Sequence, residues 1–327
     1  MRFFLRMKGD RLVERARSLK RNLALLCWCL FLPVVPGYGQ ADQELNLKGA
    51  FDAHVHQAPD SMERMIDADD LARLAKSKGM RGLVMKNHFE DTAAIAYLIR
   101  KQVPDFELIG GIAQDLAIGG INLEAIKHMA AIKGGYGRVV WLPTFDSENA
   151  VKAAGRGGPF VPVSKDGQLL PAVLEELDWI AAHPQIVLET GHISAEEVIL
   201  VSHEAHKRGV AHVMVTHAMA NPIRMTIPQM QEVTKDGTYI EFVYGATQGA
   251  RPAVTVAQYA EAIRAIGPKW CVLATDYGAV SRPPAPKPSL EPDGLLEFMQ
   301  AVHKEGISVE DINLMTKVNP LLALGLK

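Results

Sequence analysis

Cysteine is scarce in this chain: there are three in 327 residues, and two of them, Cys27 and Cys29, lie inside an N-terminal apolar run. Only Cys271 remains for the body of the protein, so neither a disulfide framework nor a thiolate metal cage can be assembled there. An excess of positive charge is missing too; the net charge of −2 gives no case for nucleic acid as a partner. The apolar run at 23–35 is about 13 residues long, short of the roughly 20 needed to span a bilayer. No Gly-x-Gly-x-x-Gly follows the first strand-like segment, which argues against a dinucleotide-binding, doubly wound open sheet. What remains is a chain 48% hydrophobic and 22% charged, the composition of a soluble globular protein with ample length for a core.

Residues 1–40 read as a targeting segment. Eight Lys or Arg between Arg2 and Arg21 precede the apolar run, and small residues, Gly37 and Gly39, precede the polar Gln40-Ala41-Asp42. That order is the pattern of a cleaved signal peptide, with an uncleaved anchor as the alternative. Leu25-Leu26 before Cys27 do not offer the small residue that a lipoprotein site wants. Cleavage near Gln40 or Ala41 removes eight positive and two negative charges and leaves an acidic exported protein, periplasmic or secreted, with no stable membrane insertion. The domain expectation is a signal peptide at 1–40 and a single catalytic-sized domain at 41–327.

From residue 49 the chain alternates between short apolar and longer helix-like segments. Strand-like stretches fall at 51–57, 81–88, 106–112, 138–143, 186–192, 212–217, 239–244 and 270–276. Helical spacing appears at 69–78, 91–102, 121–133, 171–182, 195–208, 227–235 and 254–266, and two further helices close the chain at 295–305 and 309–326. The Gly/Pro-rich passage 155–167 breaks the rhythm as an inserted loop or hairpin. Continuous apolar strands separated by helices predict a parallel sheet buried on both faces. Eight such units in about 280 residues predict a closed (β/α)8 TIM barrel with a C-terminal helical extension.

Polar residues gather where these strands end. In Phe51-Asp52-Ala53-His54-Val55-His56-Gln57 the apolar and polar residues alternate with period two, which sends His54 and His56 to one face, close enough to share a cation. Lys86 and His88 end the second strand with shared parity, and His192, His217 and Asp276 end the fifth, sixth and eighth. In a parallel barrel all these ends open on one rim, the rim on which active sites are built. Imidazole with carboxylate is a donor set for zinc, and it suits iron or manganese as well. Glu189 and the helical His203, His206 and His303 read as structural or surface residues.

The ordered set resembles the amidohydrolase superfamily over the whole mature chain: His-x-His on the first strand, histidines on the fifth and sixth, an aspartate on the eighth. Met315-x-x-x-Asn319-Pro320-x-x-x-x-Gly325-Leu326 also looks like that family's closing helix. The resemblance implies a metal-dependent hydrolase of an amide, lactone or other ester, with one or two divalent ions on His54, His56, His192, His217 and Asp276. It also implies that Asp276 orients a metal-activated hydroxide and takes its proton, and that His88 helps to polarise the carbonyl under attack. Arg251, in Gly249-Ala250-Arg251-Pro252 after the seventh strand, is a candidate for a substrate carboxylate, with a solvated loop arginine as the plain alternative. The expected partner is a small molecule, and a homo-oligomer is compatible with the sequence.

One departure stands out. Two-metal members carry a carboxylated lysine or a glutamate on the fourth strand, whereas this strand ends Trp141-Leu142-Pro143-Thr144-Phe145-Asp146. Lys86 on the second strand is the substitute to consider, and a D-aminoacylase-like subgroup places a bridging cysteine on that strand. Lys86 is open to three readings: a carbamate bridge, a cation for an anionic substrate group, or a buried paired lysine. Two other functions stay open within the fold, a one-metal decarboxylase and a phosphoester hydrolase. The first is disfavoured by His217 and the second by so few rim cations (Lys86, Arg251, Arg282). A non-catalytic binding module has little use for a complete ligand set.

Overall fold

The computed structural model describes residues 44–249, 252–279 and 291–327; the expected signal peptide, Arg251 and Arg282 lie outside them. The strands are β1 (Phe51–Val55), β2 (Gly82–Met85), β3 (Glu107–Ala113), β4 (Gly137–Trp141), β5 (Ser164–Lys165), β6 (Gln168–Leu169), β7 (Val187–Glu189), β8 (Val213–Val215), β9 (Tyr239–Val243) and β10 (Cys271–Ala274). β5 and β6 pair as an antiparallel hairpin inside the Gly/Pro-rich insertion. The other eight form one parallel sheet in the order β1-β2-β3-β4-β7-β8-β9-β10. Its two edges meet: Asp276 N donates to His54 O at 2.8 Å and His56 N to Tyr277 O at 2.7 Å. The sheet is therefore a closed (β/α)8 barrel, as the alternation of elements predicts.

Closure is reinforced by a side chain. Asp52 Oδ2 accepts from Thr275 Oγ1 at 2.7 Å, and Asp52 Oδ1 accepts from the backbone N–H of Thr275 at 3.1 Å and of His54 at 3.2 Å. Burial drives the Asp52 pKa up to about 7 against those hydrogen bonds. The strict alternation read from β1 is interrupted here. Phe51 and Ala53 pack with barrel-lining residues such as Trp141 and Met214, while Val55 packs with the helix layer. A register irregularity between Asp52 and Val55 produces the switch, because an extra residue re-aims the side chains beyond it.

The core has two shells. Strand residues such as Leu83, Leu108, Val140 and Phe242 pack outward against helices, and Phe51, Val84, Val139 and Val187 fill the barrel, plugged from below by Leu324. The single closing helix expected at 309–326 is instead three pieces, Val309–Asn313, a π-helical turn Leu314–Val318, and Asn319–Ala323. Pro320 supplies the reason, since it has no N–H to continue the ladder. Asn319 uses the break to donate from Nδ2 to Pro268 O and Cys271 O at 2.8 and 2.7 Å, below β10. A short helix, Glu148–Ala153, follows β4 and was not legible as a periodic segment. Among the described residues no helix is long and apolar enough to cross a membrane.

Candidate metal centre

Each functional side chain sits at, or just past, the C-terminal end of a barrel strand. His54, one residue before the end of β1, has its Nδ1 donating to Glu241 Oε2 at 3.0 Å, which leaves Nε2 as the atom that can bind a metal. His56 is fixed the same way, Nδ1 donating to Lys86 O at 2.6 Å. Both Nε2 atoms lie 3.1 Å from Asp276 Oδ1. A divalent ion held by imidazole at about 2.0–2.1 Å places neighbouring donors roughly 3 Å apart, so His54, His56 and Asp276 form a group able to hold a metal ion.

His192 and His217, just past the neighbouring strands β7 and β8, face each other Nε2 to Nε2 at 3.0 Å. Burial pushes both imidazoles below their ordinary pKa, His217 to about 4. Two neutral imidazoles at this distance present the spacing of a ligand pair. His192 is placed by Gly191, whose φ is +60° and whose missing Cβ would lie 2.1 Å from Leu142 O. A capping box between Ser194 and Glu197 then starts the next helix at once; such caps contribute about 1 kcal/mol. His217 and Asp276 are themselves left-handed, at φ +27° and +53°, a conformation non-glycine residues hold only where their surroundings over-determine it.

Lys86 is fully buried, its Nζ 3.2 Å from His54 Nε2 and 5.5 Å above the Trp141 ring. Burial lowers its pKa against the pull of Asp276, Glu189 and Glu241. Trp141 occupies the strand on which the amidohydrolase bridging residue is expected, and its Nε1 donates to Glu189 Oε2 at 2.7 Å. Glu189 also accepts from Thr216 Oγ1 at 3.1 Å, consistent with its structural reading. His88 stacks on Phe145 with ring centroids 3.9 Å apart and lies 5.0 Å from His56. Its Nδ1 meets Thr144 Oγ1 at 2.8 Å, and that hydroxyl donates to Asp115.

The electrostatics derive from these contacts. Burial and Lys86 push the His54 pKa down, yet Asp276 and Glu241 outweigh them and hold it up at about 9. His56, pushed down chiefly by burial, falls to about 4 despite Asp276. Burial raises the Asp276 carboxyl, but the His54 and His56 imidazoles hold it well below the usual carboxylate range. Its side chain is still 27% exposed, so a carboxylate oxygen reaches the cavity.

Sequence reasoning missed Glu241, the residue that ties the two histidine groups together: Oε2 accepts both His54 Nδ1–H and the backbone N–H of His217 at 2.9 Å. The available signal was a lone charge inside the otherwise apolar strand Tyr239–Val243. Asp115 and Thr144 were also missed; their link to His88 is tertiary and leaves no local pattern. Arg251 lies outside the described residues and takes no place in this geometry.

A closed parallel barrel with histidines and an aspartate on its C-terminal rim is the class that fold and site define. A family model described as a family of unknown function, DUF6282, matches residues 49–241, and the chain belongs to that family. The matched stretch contains every candidate ligand except Asp276. No curated protein matches. Among solved structures, the organophosphorus hydrolase from Deinococcus radiodurans has a similar fold, with a TM-score of 0.55 and 15% identity over 86% of this chain and 100% of that one. An enzyme engineered for organophosphate hydrolysis from a weak, promiscuous lactonase template is similar at a TM-score of 0.57 and 15% identity, over 85% and 96%. At such identities the likeness is one of fold.

Proposed function

We propose that the protein is a metal-dependent hydrolase of a lactone, another ester or an amide. The observation that carries this reading is the convergence of three donor atoms, His54 Nε2, His56 Nε2 and Asp276 Oδ1, at 3.1 Å on an accessible barrel rim. The organophosphorus hydrolase and lactonase-derived barrels of the same fold support it. His192 and His217 would hold a second ion, and zinc suits the imidazole-rich set, with iron and manganese as alternatives. A divalent ion held there supplies an acidified water and a Lewis acid for a carbonyl.

The chain's own residues do the rest. Asp276 is ionised at neutral pH and partly exposed, so it can accept a proton from the attacking water and return it to the leaving group. With Asp115 ionised and accepting from Thr144, the Thr144 hydroxyl accepts from His88 Nδ1–H, which leaves His88 Nε2 as an acceptor. In that tautomer His88 would accept a substrate hydrogen rather than polarise the carbonyl, the role that the resemblance implied. Of the three readings of Lys86 we favour the carbamate, which would supply an anion beside His54; burial favours the neutral amine that reacts with carbon dioxide.

Metal analysis of the purified protein, followed by assay on lactones, carboxylic esters, amides and phosphoesters, tests the reading. Stoichiometric divalent metal with turnover of a lactone, ester or amide is expected; metal-free protein inert on all four classes would end it. The one-metal decarboxylase reading is disfavoured by the His192–His217 pair, which it leaves without a role. Export of the mature chain remains part of the proposal, and N-terminal sequencing of protein from the cell envelope tests it.

A further inference from the structure

Two recesses open beside the donor atoms, and their charges differ. One, of about 280 Å³, lies between His217 and Asp276, and the other described residues lining it are uncharged. The other, of about 530 Å³, lies past His192 on an apolar floor that includes Phe145, Ala150 and Pro222, and it carries Arg156 and Arg224. Asn221 lines both, so they are adjoining lobes of one site. The larger lobe alone falls within the range of roughly 300–1,000 Å³ that small-molecule sites occupy.

The two arginines are held but not neutralised. Arg156 Nη2 donates to Phe145 O, and Arg224 Nε donates to Asn221 Oδ1. Among the described residues neither guanidinium is paired with a carboxylate, and no acidic side chain lines the lobe. The walls are cross-tied: Asn149 Nδ2, from the short helix after β4, donates to His192 O at 3.1 Å and Pro222 O at 3.2 Å. Arg224 is itself left-handed, at φ +53°, and its turn is closed by Arg224 N to Ala220 O at 3.0 Å and Met225 N to Ala218 O at 2.9 Å. Three loops thus present two unpaired guanidinium groups at the edge of an apolar cleft that begins at a candidate ligand.

We propose that this lobe binds the anionic end of the substrate: an oxyanion, carboxylate or phosphate, joined to the scissile bond through an apolar segment. Guanidinium groups match such oxyanions by paired, charge-assisted hydrogen bonds, while the alanine and phenylalanine floor takes the carbon chain. The smaller lobe, uncharged among its described residues apart from His217 and Asp276, takes the opposite, neutral end. Which bond is cut rests on the hydrolase reading above; the binding preference does not.

The test is calorimetric binding of three probes, 4-phenylbutanoate, 3-phenylpropylphosphonate and the neutral 4-phenylbutanamide. Each is titrated into the full chain with and without a chelator, and into the Arg156→Gln/Arg224→Gln variant. At least one anion is expected to bind the wild-type protein about tenfold more tightly than the amide, with or without metal, and that preference should vanish in the variant. Which anion binds better distinguishes a carboxylate from a phosphate substrate. Equal affinity for all three probes, or a preference that survives in the variant, overturns the proposal; a preference abolished by chelator assigns the anion to the metal and also overturns it. Both side chains are exposed, so the variant should fold, and its melting curve and metal content check this. Absence of lactone, ester and amide turnover by the loaded wild type would instead count against the hydrolase reading and leave the binding result standing.

Discussion

The two histidine groups on the rim are built to different standards. At the barrel seam, His54 and His56 each commit Nδ1 to a partner, point Nε2 at a common space and find a carboxylate, Asp276, already there. Across the mouth, His192 and His217 face each other, and among the described residues no carboxylate lies between them and the buried His217 Nδ1 has no hydrogen-bond partner. The seam group brings one negative charge of its own toward a divalent ion. On the reading proposed above, a second ion on the opposite pair would take its anion from elsewhere, and Lys86, 3.2 Å from His54 Nε2, is the candidate. One rim therefore holds a histidine group with its own carboxylate and a second pair that, among the described residues, has none between its rings.

The sharpest way to break this comparison is His54→Ala/His56→Ala. It should remove all bound metal and lower activity by far more than the 10–100-fold typical of losing a residue that only orients a ligand, with the fold retained by circular dichroism. Unchanged metal content would refute the seam site. Next, Lys86→Ala should reduce two bound ions to one by elemental analysis, with short carboxylic acids restoring the second. A count that stays at two makes the opposite pair autonomous and leaves Lys86 as a substrate cation or a buried structural lysine. Glu241→Gln should weaken metal binding at both groups by roughly 10–100-fold, because one oxygen serves His54 and the His217 backbone; an effect confined to one group would separate them.

A smaller effect lies in pH. In the metal-free protein His54, held up at about 9, stabilises the fold fully below about 6.5, and that contribution is lost as pH rises through 9. His56 and His217, down at about 4, contribute in the opposite sense, their stabilisation present above about 6.5 and lost as pH falls toward 4. Metal must displace the His54 proton, so loading at pH 7.5 should release about one proton, measured calorimetrically in buffers of different ionisation enthalpy. No proton release would mean that His54 is already neutral. Smallest of all, Thr144→Val should leave metal content intact and shift His88 away from the Nδ1–H tautomer in ¹⁵N spectra, whereas Thr144→Ser should not. An unchanged tautomer in the valine variant would dismiss the Asp115–Thr144 link.

Much of this was legible because a barrel turns one-dimensional order into a ring. The parity of His54 with His56 and of Lys86 with His88, and the apolar strands that each run into a polar residue, carry the rim in the sequence itself. Where side chains meet across the ring, the sequence is silent. Glu241 and His54 are 187 residues apart and Asp115 and Thr144 are 29 apart, and no local spacing reports either pair. The irregularity in β1 was hidden for a related reason, since it arises from pairing with β2 rather than from composition. Arg156 and Arg224 sit in loops, where periodicity has nothing to say.

The seam where β1 meets β10 has a consequence for assembly. His54 and His56 come from the first strand to be synthesised and Asp276 from beyond the last, 220 residues after His56. No partial barrel can present the trio, however well its own units pack. An ion bound there would act as a latch on the ring, rewarding only the closed state, by about 4 kcal/mol at a thousandfold excess over its dissociation constant. Of the barrel's strand junctions this is the one between the most distant segments of the chain, and it is the one a bound ion would hold shut.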